Sequence, residues 1–107
     1  MTDEQALRCN GGKPKLSMVD LQSLYPCAQV LEFGAIKYSR DNWKKGLPLT
    51  EILDSLMRHI SALQNGELND PESGLSHIGH IQCNALFLGG KNNTNDLETV
   101  DDETINS

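Results

Sequence analysis

Apolar positions through the middle of the chain recur at steps of three and four, the interval that gathers side chains on one face of a helix. Leu21, Leu24, Ala28, Leu31, Ala35 and Tyr38 form the first such stripe. It predicts one helix over about 20–37, bent near Pro26, whose ring opposes the carbonyl four residues earlier. A start at Pro26 is the alternative, because proline is tolerated in a first turn. Leu49, Ile52, Leu53, Leu56, Ile60 and Leu63 form a second stripe, opened by Pro48 and closed by Asn65-Gly66. Ile78, Ile81, Ala85 and Leu88 form a third, over about 75–88, with Gly89-Gly90 as its stop. No segment shows the two-residue alternation of an amphipathic strand. The pattern predicts an all-α fold, a small bundle of about three main helices.

The segments between the stripes are polar and turn-forming. Residues 38–47, YSRDNWKKGL, and 67–73, ELNDPES, read as connecting loops. Residues 1–14 hold Gly11, Gly12 and Pro14 without periodicity and read as a flexible arm. Residues 91–107 carry five acidic side chains against Lys91 alone, with little to bury, and read as a disordered acidic tail. The folded domain is expected within 15–90.

A chain of 107 residues makes one domain with a modest core. Its thinness favours completion by a homo-oligomer, a dimer or tetramer, with Val30 and Phe33 projecting from the first helix as subunit contacts. The net charge of -6 argues against wrapping a nucleic-acid polymer, whose affinity comes largely from Lys and Arg. Cys9, Cys27 and Cys83 form no CxxC pair, so neither a disulfide framework nor a thiolate zinc site is indicated, and a reducing cytoplasm fits. No stretch approaches the roughly 20 apolar residues of a membrane span.

On helical wheels, several polar residues fall on the edges of the apolar stripes: Glu32 on the first helix, His59 on the second, and His77, His80 and Asn84 on the third. Arg58 shares the outer face of the second helix with Asp54. An unpaired buried polar group costs about 1–3 kcal/mol. The inward set must therefore either bond within itself or line a pocket. In a pocket, imidazoles suit zinc and later transition metals, whereas magnesium prefers oxygens. A magnesium or manganese site would draw on Glu32, Glu67, Asp70 and Glu72. Lys37, Tyr38, Arg40, Asn42, Trp43, Lys44 and Lys45 form the one concentrated basic and aromatic stretch. Such a loop can supply cationic donors to phosphate oxygens and an aromatic face to a base.

These residues carry a resemblance. GAIKYSRDNWKKG, then RHISALQNGE, then DPESGLSHIGHIQCNALFL resemble a phage and bacterial family of dATP/dGTP diphosphohydrolases, related to the MazG-like all-α nucleotide pyrophosphohydrolases. The likeness covers about residues 13–88. Its pattern of G-A-x-K-Y, N-W-x-x-G, R-H, G-E, D-P-E-S-G and H-x-x-H-x-x-x-N falls on Gly34, Lys37, Tyr38, Asn42, Trp43, Gly46, Arg58, His59, Gly66, Glu67, Asp70, Pro71, Glu72, Ser73, Gly74, His77, His80 and Asn84.

The resemblance implies metal-assisted cleavage of a purine deoxynucleoside triphosphate between its α and β phosphorus atoms. Joined to that chemistry, the residues read above become candidates: Glu32, His59, His77 and His80 as catalytic groups, with Glu32, Glu67, Asp70 and Glu72 toward the metal. Lys37, Tyr38, Arg40, Asn42, Trp43, Lys44, Arg58 and Asn84 would meet substrate. One departure stands out: MazG-like enzymes carry E-x-x-E and E-x-x-D on successive helices, and His77 and His80 stand where the latter would fall. A phage-encoded sponge that sequesters a nucleotide signal of host immunity is the rival expectation, and a structural adaptor the third.

Overall fold

The structure, a computed structural model, describes residues 6, 7 and 11–93. Three α-helices carry it: α1, Tyr25–Lys37; α2, Leu49–Gln64; and α3, His77–Asn93. Short 3-10 turns stand at Leu16–Met18, Leu21–Leu24 and Asn42–Lys45. Among the described residues the extended pairing is one isolated bridge, Asn69 with Ser76. The all-α expectation holds. α3 is the central element, with both α1 and α2 packed on it.

The first helix departs from its expected bounds and phase. It begins at Tyr25, with Pro26 in its first turn, and residues 21–24 form a separate 3-10 turn. A 3-10 turn advances about 120° per residue rather than 100°, so positions 21 and 24 do not set the wheel for α1. The inward side of α1 is Cys27, Val30, Leu31 and Gly34, whereas Leu21, Leu24, Ala28 and Tyr38 are exposed. Two expectations fall with that phase. Glu32 is exposed rather than half-buried. Val30 and Phe33 are half-buried within this chain instead of projecting from it.

α1 lies very close to α3 at Gly79, where a Cβ would come within 2.5 Å of the Pro26 carbonyl oxygen and 3.0 Å of Val30 Cγ2. Gln82 of α3 fastens the same junction. Its Oε1 accepts from the Cys27 N–H at 3.1 Å, and its Nε2 donates to the Ser23 carbonyl at 2.7 Å. One of the orphan N–H groups at the start of α1 is thereby satisfied by another helix.

Of the stripe expected on α2, Ile52 is buried and Leu49, Leu56 and Leu63 are half-buried, with Ser55 and His59 half-buried beside them, whereas Leu53 and Ile60 are exposed. α3 runs on through Gly89-Gly90 to Asn93, so residues 91–93 are helical and not part of a tail; 94–107 lie outside the described residues. Gly90 is a seat rather than a stop, since a Cβ there would lie 3.0 Å from Trp43 Cζ3, whereas a Cβ on Gly89 would meet nothing. α3 buries the polar His77, Asn84 and Lys91 beside Gly79 and Cys83, while Ile78 and Ala85 are exposed. Among the described residues the buried apolar side chains are Cys27, Ile52 and Cys83. No described helix is long and apolar enough to cross a membrane.

Candidate functional site

The loop between α2 and α3 starts from a defined helix end. Gly66 takes the left-handed conformation (φ 92°), its N–H donates to the Leu63 carbonyl, and the Glu67 N–H donates to that of Ala62, both at 3.0 Å. This paired capping turns the chain sharply and sets Glu67 at the mouth of the loop. The loop closes on itself through Asp70 N–H to Leu75 O (2.8 Å), Gly74 N–H to Asp70 O (2.7 Å) and His77 N–H to Leu68 O (2.9 Å). The acidic segment is thus held against the first turn of α3.

Three imidazoles meet beneath this loop. His59 Nδ1 and His77 Nδ1 are 2.8 Å apart and share a proton. The His59 ring stacks on that of His80, with centroids 4.3 Å apart and planes 4° from parallel. His80 Nε2 lies 2.8 Å from Ser73 Oγ, which donates to Asp70 Oδ2 at 2.9 Å; the Ser73 N–H reaches the same oxygen at 3.1 Å. His77 Nε2, deeply buried, has no hydrogen-bond partner and faces Glu67 Oε1 at 3.7 Å.

Burial lowers the proton affinity of His59, and the His80 and His77 imidazoles lower it further. Burial lowers that of His80 against the opposing pull of Asp70. Asp70 stays below the usual carboxylate range: its partial burial works the other way, and the Ser73 hydrogen bonds outweigh it. His59 and His80 are therefore neutral imidazoles beside the ionised Asp70 near neutral pH.

Next to it lies a groove of about 810 Å³ between α1, the loop after it and α3. Lys37, Arg40 and Lys44 stand on its wall, and so does Trp43, whose ring meets Phe87 at a centroid distance of 5.2 Å. Asp41, in a left-handed turn (φ 61°), pairs with Lys44 at 3.5 Å. Lys37 sits 5.4 Å above the Tyr38 ring and 3.6 Å from Glu72 Oε1; Tyr38 first and then Glu72 hold its ammonium charged. On α3, His80, Cys83, Asn84 and Phe87 face the groove. A smaller recess of about 380 Å³ lies across Ser55 and Asn84 from it and includes Arg58.

The placement of the expected residues divides cleanly. Lys37, Tyr38, Arg40, Asn42, Trp43, Lys44 and Asn84 line the groove, as do Glu32 and His80. Arg58 is exposed and lines the smaller recess. His59 and His77 do not line the groove but stand behind His80, so the single cavity expected for Glu32 and all three imidazoles is shared by Glu32 and His80 only. Glu67, Asp70 and Glu72 also lie off the groove, attached to His77, the Ser73–His80 pair and Lys37 respectively.

Three of the four carboxylates considered for a metal, Glu67, Asp70 and Glu72, therefore serve different partners, and Glu32 stands apart from them on the groove wall. Among the described residues no group of three or more His, Cys, Asp or Glu side chains is arranged to hold one ion. Magnesium does not require such a cage, since one or two carboxylates together with substrate phosphates commonly hold it. Glu32 on the groove wall fits that arrangement.

Two serines complete the network: Ser73, which the sequence offers only as part of the D-P-E-S-G motif and without a role, and Ser55, which it does not single out. Ser73 lies three residues after Asp70 in a turn, a spacing at which an Asp side chain can gather the following N–H and hydroxyl. Ser55 lies one helical turn before His59 on the same face, and its hydroxyl accepts from Asn84 Nδ2 at 3.3 Å.

Residues 3–102 match the family model described as "dATP/dGTP diphosphohydrolase, N-terminal". A protein of Salmonella phage PMBT28 named dATP/dGTP diphosphohydrolase is 34% identical over 82 residues, which are 77% of this chain and 28% of that protein. The chain thus spans well under a third of this curated relative's length. No solved structure matches.

Proposed function

The chain belongs to the family of dATP/dGTP diphosphohydrolase N-terminal regions, and from that premise we propose that it binds a purine deoxynucleoside triphosphate in the groove and serves its pyrophosphohydrolysis with Mg2+ or Mn2+. The observation that carries this reading is the groove wall itself. In a chain of net charge -6, three cations and an aromatic pair collect on one cavity of nucleotide size. Lys37, Arg40 and Lys44 meet phosphate oxygens as charge-assisted donors. Trp43 and Phe87 offer apolar surface to the base.

In the reaction, water adds to the α phosphorus and diphosphate leaves. A divalent ion, when bound, screens the phosphate charge and acidifies that water. Glu32 is the wall carboxylate for an ion carried in on the phosphates. His80 is the imidazole within reach of the cavity, held from behind by His59, Ser73 and Asp70.

One observation favours a second reading, sequestration without turnover: the carboxylates do not gather at a point. Both readings meet one experiment. The full chain is incubated with dATP, dGTP and cyclic dinucleotides, with and without Mg2+ or Mn2+; melting temperature is followed, and the nucleotide is recovered after heat denaturation. A raised melting temperature with deoxynucleoside monophosphate and diphosphate as products supports hydrolysis. A raised melting temperature with intact nucleotide supports sequestration. No shift with any nucleotide overturns both.

A further inference from the structure

Asn84 stands one helical turn before Phe87 on α3 and is more than nine-tenths buried, yet it lines the groove. Its amide is oriented without ambiguity. Nδ2 donates to the His80 carbonyl at 2.9 Å and to Ser55 Oγ at 3.3 Å. A backbone carbonyl can only accept, so the nitrogen must face it, and both amide hydrogens have acceptors. Oδ1 is left pointing away from those partners. It has no partner among the described residues and is not sealed from solvent, so it opens onto the two spaces that Asn84 lines, the groove and the smaller recess beside it.

The neighbouring polar group on this floor adds no donor. The Cys83 thiol turns back to the Cys27 carbonyl at 3.3 Å. An acceptor of fixed direction thus stands where the groove borders the smaller recess, beside the Trp43–Phe87 aromatic pair, while the cations of the wall belong to α1 and the loop after it. An aromatic surface next to an oriented carbonyl is the chemistry that recognises a nucleobase N–H.

We propose that Asn84 Oδ1, aimed by Ser55 and the His80 carbonyl, reads an N–H on the edge of the base and is the specificity-determining group of the groove. The inference rests on the groove being the nucleotide site. Ser55 is a positioning residue: it touches the amide, and its loss frees one amide hydrogen and lets the side chain turn. A base without an N–H on that edge leaves a buried acceptor unpaired and is disfavoured by about tenfold or more.

The test compares binding of dATP, dGTP and purine 2′-deoxyriboside triphosphate, which carries hydrogen in place of the 6-amino group of dATP. Isothermal titration of the full chain is the readout. In the native protein the aminated nucleotides bind at least about tenfold more tightly than the unsubstituted purine. Asn84→Leu, of similar volume, brings the affinities together; Ser55→Ala narrows the ratio, and Ser55→Thr restores it. Equal affinities in the native protein, or an unchanged ratio in Asn84→Leu, overturn the role of Asn84 while leaving the groove as the nucleotide site. No binding by any of the three overturns the groove reading together with this one. Should Asn84→Leu not fold, the ratio in the native protein still decides.

Discussion

The two contacts made by α3 are built from opposite materials. Against α1, α3 presents Gly79 and Cys83, and the helices approach until backbone meets backbone; Cys27 Sγ and Cys83 Sγ lie 3.5 Å apart in the middle. Against α2, it presents His77, His80 and Asn84, met by His59 and Ser55 through hydrogen bonds and ring stacking. The first contact depends on volume and the second on direction. Burial and the neighbouring Cys27 push the Cys83 thiol well up, which makes it a small apolar filler rather than a nucleophile. A helix with one close-packed flank can give its other flank to polar side chains, and that second flank borders the groove.

The sharpest way to break this division is at Gly79. Gly79→Ala forces its methyl onto the Pro26 carbonyl oxygen, which is backbone and cannot swing aside. A loss of about 2–3 kcal/mol is expected in urea denaturation, against the small gain that alanine brings to an ordinary helix position. A neutral outcome would mean that the α1 contact does not depend on close approach.

His77→Phe probes the other flank. It removes the proton partner of His59 Nδ1 but also the unpartnered His77 Nε2, so the two effects offset in part. A net loss of about 1–2 kcal/mol is expected by the same measurement. If the variant is as stable as the native chain, hydrogen bonding at this flank contributes little to folding.

Acid sharpens the comparison further by acting mainly on the polar flank. His59 and His80 bind protons less readily in the fold than a free imidazole, with its ordinary value of 6.5. The unfolded chain therefore takes up more protons below that value. Stability is full above pH 6.5 and falls as the pH drops toward the folded values, by up to about 1.4 kcal/mol per pH unit for each extra proton. Denaturation curves collected across this range in the native chain and in His77→Phe should show a smaller decline in the variant.

The helices are legible in the sequence because α2 keeps its apolar residues in register and both connecting loops are rich in turn formers. The phase of α1 is not. Leu21 and Leu24 have helical spacing but belong to a 3-10 turn, and counting from them turns Glu32 inward and Val30 outward. The end of α3 misleads for a related reason, since Gly89-Gly90 signals a stop only if nothing nearby needs the missing side chains, and Trp43 does. In the site, the groove-lining residues are recoverable because most sit in one short stretch after α1. The division of labour among the carboxylates is not, because Glu67, Asp70 and Glu72 look alike in a string but face His77, the Ser73–His80 pair and Lys37 in space.

The seat that Gly90 provides has a further consequence. Trp43 is the only tryptophan in the chain, and it packs on α3 over Gly90 and Phe87 at the edge of the groove. Indole emission responds to the polarity of its surroundings, so the molecule carries a native optical gauge at this spot. If the groove takes a nucleotide as proposed, ultraviolet fluorescence of the unlabelled chain is expected to change as it fills.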